Sequence, residues 1–207
     1  MILSELPIQM QNAIKRYKDI ILTEIYTETW VDCWIAWWAL RDYFNSVIIK
    51  TDYDVFFKSE EDFTKVSDYF KDKWCKVIWE SENWKKIKYK WRVYDLVKKY
   101  FESPQATIDN FDFTVSMIAV SRTELVYHPT TFIDLAKRQL MINNLTYPAS
   151  TMKRVLKYYE KWFRICNEEL AKIVIAIQTT PVPDMIQEWW TEERTSWWTN
   201  RLFVWID

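Results

Sequence analysis

Residues 33–44 read CWIAWWALRDYF, and residues 51–57 read TDYDVFF. The first stretch is a short apolar run, Cys33 to Ala36, a break at Trp37 and Trp38, and then Ala39 onward with helical character and an Arg-Asp pair at Arg41 and Asp42. The spacing predicts a strand, a turn and a helix starting near Ala39. The second stretch alternates and is rich in aromatic residues, which predicts a strand. Two carboxylates at i and i+2 of a strand share a face, so Asp52 and Asp54 stand together whatever the strand pairs with. Paired acidic residues on one strand suit a divalent cation, because hard oxygen donors are what magnesium takes. An isolated Asp-x-Asp is more often solvated surface, so its context has to carry the reading.

Part of that context is compositional. The chain of 207 residues contains no glycine and 14 tryptophans. Average usage of about 7% would give roughly 14 glycines in a chain this long. Tryptophan recurs where glycine chemistry is expected: in KDKWCKVI and YYEKWFRI it follows a charged helical run, at the position where a left-handed residue closes a helix. The stretch EWWTEERTSWWTN, residues 188–200, has the polar composition of a surface loop but carries four indoles without periodicity. The distribution reads as tryptophan standing in most or all of the places whose backbone role belongs to glycine. Trp79, inside the apolar run KVIWES, reads instead as an ordinary strand tryptophan. The competing explanation is a tryptophan-rich binding protein that stacks indoles on sugars or bases, although such a protein would still need glycine in its turns.

Read outward from the opening stretch, residues 8–28 carry apolar side chains at helical spacing and predict an amphipathic helix. SEEDFTKVSDYFKDK opens with a serine N-cap and an acidic first turn, with Phe63, Val66 and Phe70 on one face, and predicts a helix. CKVIWES, KKIKYKW and RVYDLVKKY predict successive strands, and FDFTVSMIAVS a strand or a helix start. FIDLAKRQLMI, ASTMKRVLKYYEKW and CNEELAKIVIAIQTT predict helices. The plan is an α+β head over residues 1–125 and a helical neck with a C-terminal tail over 126–207.

Several function classes drop out. The net charge of -1 announces no general affinity for nucleic acid. Cys33, Cys75 and Cys166 lack zinc-ligand spacing, and His128 alone cannot complete such a set. Buried free thiols are expected, with His128 structural. No Gly-Lys-Ser/Thr loop exists even with glycine read for tryptophan, and no nucleophile pattern accompanies His128. No apolar run reaches the roughly 18 residues of a membrane span, and the amphipathic N-terminus lacks a secretory signal's charge pattern, so a cytoplasmic location is expected.

With Trp37 and Trp38 read as glycines, AGGALRDYF followed by TDYDVFF resembles the nucleotidyltransferase head of the DNA polymerase β superfamily, in its poly(A) polymerase and tRNA CCA-adding branch. The resemblance implies a small mixed sheet, an NTP substrate, a two-metal Mg2+ site and a hydroxyl acceptor, with RNA expected. Positions 37 and 38 would cradle the triphosphate with bare amides, and indoles there would make the enzyme inactive. Arg41 and Asp42 would brace that turn, and Asp52 and Asp54 would bind metal. VYDLVKKYF is similar to the element carrying the family's third carboxylate, which implies that role for Asp95; by itself Asp95 reads equally as a surface strand residue. NFDFTVSMIAV echoes the ribose-contacting motif at Asp112, Phe113 and Thr114, while Asn110, Phe111 and Ser116 depart from it; Phe111 and Phe113 read as core. TYPASTMKRVLKYYEKWFRI resembles the neck, with Pro148 and Trp162 at the family's proline-to-glycine spacing. Thr146, Tyr147 and Ser150 replace the base-reading residues, so base selectivity does not carry over. Arg154 and Lys157, three apart on one helix face, are implied nucleotide contacts, with Arg154 the principal one; solvated surface charge is the plainer reading. The resemblance spans Asp32 to Ile165. A non-catalytic nucleotide- or partner-binding protein on the same fold is the alternative.

Overall fold

The computed structural model describes residues 7–17, 21–36, 39–41 and 52–181. The chain divides into two compact units, Met1–Asn144 and Leu145–Asp207.

The first unit is built on a seven-stranded sheet in the order β3-β4-β5-β2-β1-β6-β7. Its strands are β1 (Trp34–Ala36), β2 (Tyr53–Phe56), β3 (Lys76–Glu80), β4 (Trp84–Tyr89), β5 (Arg92–Val97), β6 (Ile118–Ser121) and β7 (Leu125–Tyr127). All neighbouring pairs are antiparallel except β2 and β5, which run parallel. The sheet is therefore mixed, and the fold is α+β. Because β7 adds itself to β6 and the helix Thr131–Lys137 packs on the turn at Thr114–Ser116, the first unit runs on to Asn144 and past the expected division at 125.

Local chemistry forms these elements. Ser59 Oγ accepts a hydrogen bond from Asp62 N at 3.2 Å, and Glu60, Glu61 and Asp62 occupy the first turn of the helix Glu60–Asp72, where negative charge meets the positive end of the helix dipole. Phe63, Val66 and Phe70 of that helix are buried. Phe70 stacks on Tyr94 of β5 and meets Tyr89 of β4 edge-on. Those contacts cover the sheet face carrying Ile87, Tyr94 and Leu96. The opposite face carries a second apolar cluster, Trp34, Ala36, Phe56, Val97, Ile108, Phe111, Met117 and Ala119. Ile108 comes from the helix Pro104–Asp109, which Ser103 caps by accepting from Ala106 N at 3.1 Å.

Within the expected opening helix, Ile8–Tyr17 and Thr23–Thr29 are helical, and residues 18–20 lie outside the described residues. FDFTVSMIAVS resolves into a single 3-10 turn at Thr114–Ser116 followed by β6. Arg138, at φ 51°, ends the helix Thr131–Lys137, so FIDLAKRQLMI is helical only in part. The cysteines are free; Cys33 is buried, Cys75 half-buried and Cys166 exposed, so the expectation of buried thiols fails for Cys166. His128 Nδ1 accepts from Thr130 N at 3.3 Å ahead of the helix Thr131–Lys137.

In the second unit the helices Pro148–Tyr159 and Asn167–Thr179 pack together, burying Val155, Tyr158 and Ile173. Among the described residues, no helix is long and apolar enough to cross a membrane.

Tryptophan does stand at glycine-like positions. Trp30, Trp74 and Trp162 have φ of 59°, 55° and 65°. They follow the helices Thr23–Thr29, Glu60–Asp72 and Pro148–Tyr159, and their backbone N–H groups return to Tyr26, Lys71 and Tyr159 carbonyls. Their indoles are 79%, 95% and 70% exposed. Trp34 corrects the broader form of the expectation. It is 4% exposed and its Nε1 donates to Thr107 Oγ1 at 2.9 Å, so this indole is a core side chain.

Candidate active site

The site grows from sheet register. The parallel pairing of β2 with β5 sets Asp54 opposite Asp95, and the antiparallel pairing of β4 with β5 sets Lys86 opposite Asp95. Side chains directly opposite in neighbouring strands lie on one face, so Asp54, Asp95 and Lys86 form a row across three strands. Asp52, two residues before Asp54, joins that face. The same face carries Phe56 and Val97 two residues further along, inside the apolar cluster. The sheet face is thus apolar under the helix Pro104–Asp109 and acidic at its other end.

Electrostatics at this end are crowded. Burial pushes the Asp54 carboxyl well above the usual range, and the charges of Asp95 and Asp52 push it the same way, with Lys86 opposing. Burial also raises Asp95, Asp52 adds to the rise, and Lys86 counters it. For Lys86 burial works to lower the pKa, but the hydrogen bond to Asp52 and the charges of Asp95 and Asp52 outweigh it and hold the ammonium above its ordinary value. The Lys86 ammonium pairs with Asp52 Oδ2 and, at 3.2 Å, with Asp95 Oδ2. Asp95 Oδ1 is buried without a hydrogen-bond partner. An ionised oxygen left alone out of water is costly, and clustered carboxylates with one such orphan have the donor chemistry of a hard-cation site. Among the described residues, no three of His, Cys, Asp and Glu stand close enough together to hold a metal ion; Lys86 lies between two of the three carboxylates.

The remaining expected site residues lie on other elements or outside the described residues. Arg41 is wholly buried and is the last of the described helical residues 39–41. Trp37, Trp38 and Asp42 lie outside the described residues. Asp112 is buried, and its backbone carbonyl accepts from Asn143 N at 2.7 Å and Asn144 N at 3.3 Å. It precedes β6, which β1 separates from β2. Phe111 and Phe113 are core, as expected. Arg154 is half-buried on the helix Pro148–Tyr159 in the second unit, with Lys157 exposed on the same helix.

Lys86 is the residue that the motifs missed. The alternation in KKIKYK puts Lys86 and Lys88 on the face opposite Ile87, so a charged face was legible, but its partner strand was not.

A family model described as Gabija anti-defense 2 family protein matches residues 9–138. The chain belongs to this family. Among curated proteins, Gabija anti-defense 2 of Bacillus phage SPbetaL7 is 28% identical over 148 residues, which is 68% of this chain and 36% of that protein. Among solved structures, a CCA-adding enzyme in complex with ATP superposes with a TM-score of 0.62 at 14% identity, over 88% of this chain and 47% of that one. The Thermotoga maritima CCA-adding enzyme complexed with tRNA_CCA gives 0.60 at 14% identity, over 98% of this chain and 53% of that one. This anti-defense family member therefore has the nucleotidyltransferase fold. It spans about a third of its curated relative and about half of the enzymes it superposes on. The family's description is an anti-defense one, which the motifs did not name.

Proposed function

We propose that the chain is a metal-dependent nucleotidyltransferase that moves a nucleoside monophosphate from an NTP to a hydroxyl on RNA, and that this transfer serves action against Gabija. The observation that carries the reading is the row formed by Asp54 and Asp95 on paired strands, with Asp52 on the same face and Asp95 Oδ1 buried without a partner. Asp52, Asp54 and Asp95 would have to draw closer together, with Lys86 withdrawn from Asp52 and Asp95, to hold Mg2+; bound there, the metal would supply Lewis-acid polarisation of the α-phosphate and a lowered pKa for the attacking hydroxyl. Arg41 and Asp42 would brace the turn over the phosphates, and Asp112 would stand toward the ribose. Neighbouring folds with ATP and with tRNA support an NTP and an RNA as partners. The family name supports an anti-defense purpose. Indoles at Trp37 and Trp38 would crowd the phosphates, so transfer is expected to be slight in this chain and to rise when both are glycine.

The test is incubation of the chain and of its W37G/W38G variant with each α-labelled NTP, Mg2+ and RNA. Label should move to RNA in the variant and fail to move when Asp54→Asn is added. No transfer with any NTP, to RNA or to protein hydroxyls, would sink the reading. A second reading, a non-catalytic nucleotide-binding protein on this fold, draws on the ammonium of Lys86 between Asp52 and Asp95. Saturable NTP binding without transfer would favour it.

A further inference from the structure

The acidic end of the sheet already contains a cation of its own. Lys86 reaches it by strand register, standing opposite Asp95 on β4. Its ammonium touches Oδ2 of both Asp52 and Asp95. The side chains of Lys86, Asp52 and Asp95 are only 27%, 34% and 18% exposed, so their charges are sheltered from much of the solvent screening that weakens surface pairs. An ion pair in such a place is strong chiefly because breaking it strands a charge. The lone pairs that the ammonium uses belong to the same carboxylates that a divalent ion would need, and a magnesium ion binds its oxygens at about 2 Å. An ammonium and a divalent ion on the same two carboxylates would repel each other at short range.

We propose that Lys86 is a built-in counter-cation that competes with divalent metal for Asp52 and Asp95. Lys86 neutralises the carboxylate row and keeps it from collapsing around a free metal ion. Metal entry requires the ammonium to leave both carboxylates, which makes the site reluctant toward metal by itself. The inference rests on the metal-binding reading of the three aspartates and adds to it the residue that sets their metal affinity.

The test is a calorimetric titration of Mn2+ into the nucleotide-free protein and into K86M, which keeps an unbranched side chain and removes its charge. Mn2+ should bind K86M at least about tenfold more tightly, and saturating Mn2+ should raise the melting temperature of K86M by more than that of the unaltered protein. Equal or weaker binding by K86M overturns the inference and leaves the metal site standing; no Mn2+ binding by either protein overturns both. A second measurement uses the unaltered chain alone. The lysine ammonium 15N signal of Lys86, held by two carboxylates, should shift and exchange faster with water when Mg2+ saturates the site. An unmoved signal at saturation overturns the inference even where K86M does not fold.

Discussion

Asp54 on β2 and Asp95 on β5 face each other in the one parallel strand pair of the seven-stranded sheet. Both carboxyl groups are pushed above the usual range, with burial the largest cause in each. For an acid with a raised pKa in the folded state, stability is present below the unfolded pKa and is lost as pH rises through the folded one. The site is therefore a cost to the fold at neutral pH. Asp54→Asn should raise the melting temperature of the metal-free protein at pH 7 and abolish transfer to RNA in the glycine-bearing variant. A D54N protein that is less stable and equally active would contradict both halves.

The exposed left-handed tryptophans separate backbone cost from packing gain. A left-handed non-glycine residue costs roughly 1–2 kcal/mol, and glycine gives back part of that through greater freedom in the unfolded chain. Trp30→Gly, Trp74→Gly and Trp162→Gly should each raise stability by up to about 1 kcal/mol. Trp34→Gly should lower it by about 3–5 kcal/mol, since it empties a buried site and takes away the indole N–H that Thr107 accepts. Urea denaturation of the four single variants checks the opposite signs.

Glu24 ties three elements together. Its carboxylate accepts from Tyr69 Oη at 2.9 Å, Tyr89 Oη at 2.6 Å and Lys90 Nζ at 2.8 Å. Burial works to raise its pKa, but the hydrogen bonds from Lys90, Tyr89 and Tyr69 and the Lys90 charge together hold it below the ordinary 4.5. A lowered acid pKa contributes stability above the unfolded value and loses it as pH falls through the folded one. Glu24→Gln should cost about 2 kcal/mol at pH 7, and the difference from the unaltered protein should shrink as the pH falls below 4.5. Urea midpoints between about pH 7 and 3 measure it.

At positions 37 and 38 the expectation is steric. Replacing both indoles by glycine should tighten NTP binding by at least about tenfold, read by fluorescence titration of a labelled nucleotide. Unchanged affinity would remove these positions from the phosphate cradle.

Much of this architecture could be read locally. Ser59 with its acidic first turn announced the helix Glu60–Asp72, alternation marked β2 to β5, and tryptophan after charged runs marked the left-handed positions at Trp74 and Trp162. Asp-x-Asp put two carboxylates on one face because the strand period is two. Other features were not legible. Trp34 looked like one tryptophan among 14, and only the helix Pro104–Asp109 folding back to offer Thr107 makes it core. Asp112 sat in a recognisable motif, yet its place is set by backbone hydrogen bonds from Asn143 and Asn144, far along the chain.

The sequence by itself determined the helix Glu60–Asp72, the strands β2 to β5 and which side chains share a face within them, because capping and side-chain alternation act over a few residues. The tertiary structure alone decided that β2 pairs in parallel with β5 and that β4 follows at a register placing Lys86 beside Asp95 and Asp52. That register is fixed by the packing of Ile87, Tyr89 and Tyr94 on the helix-covered face, and a slip of one residue would turn every one of those side chains the other way.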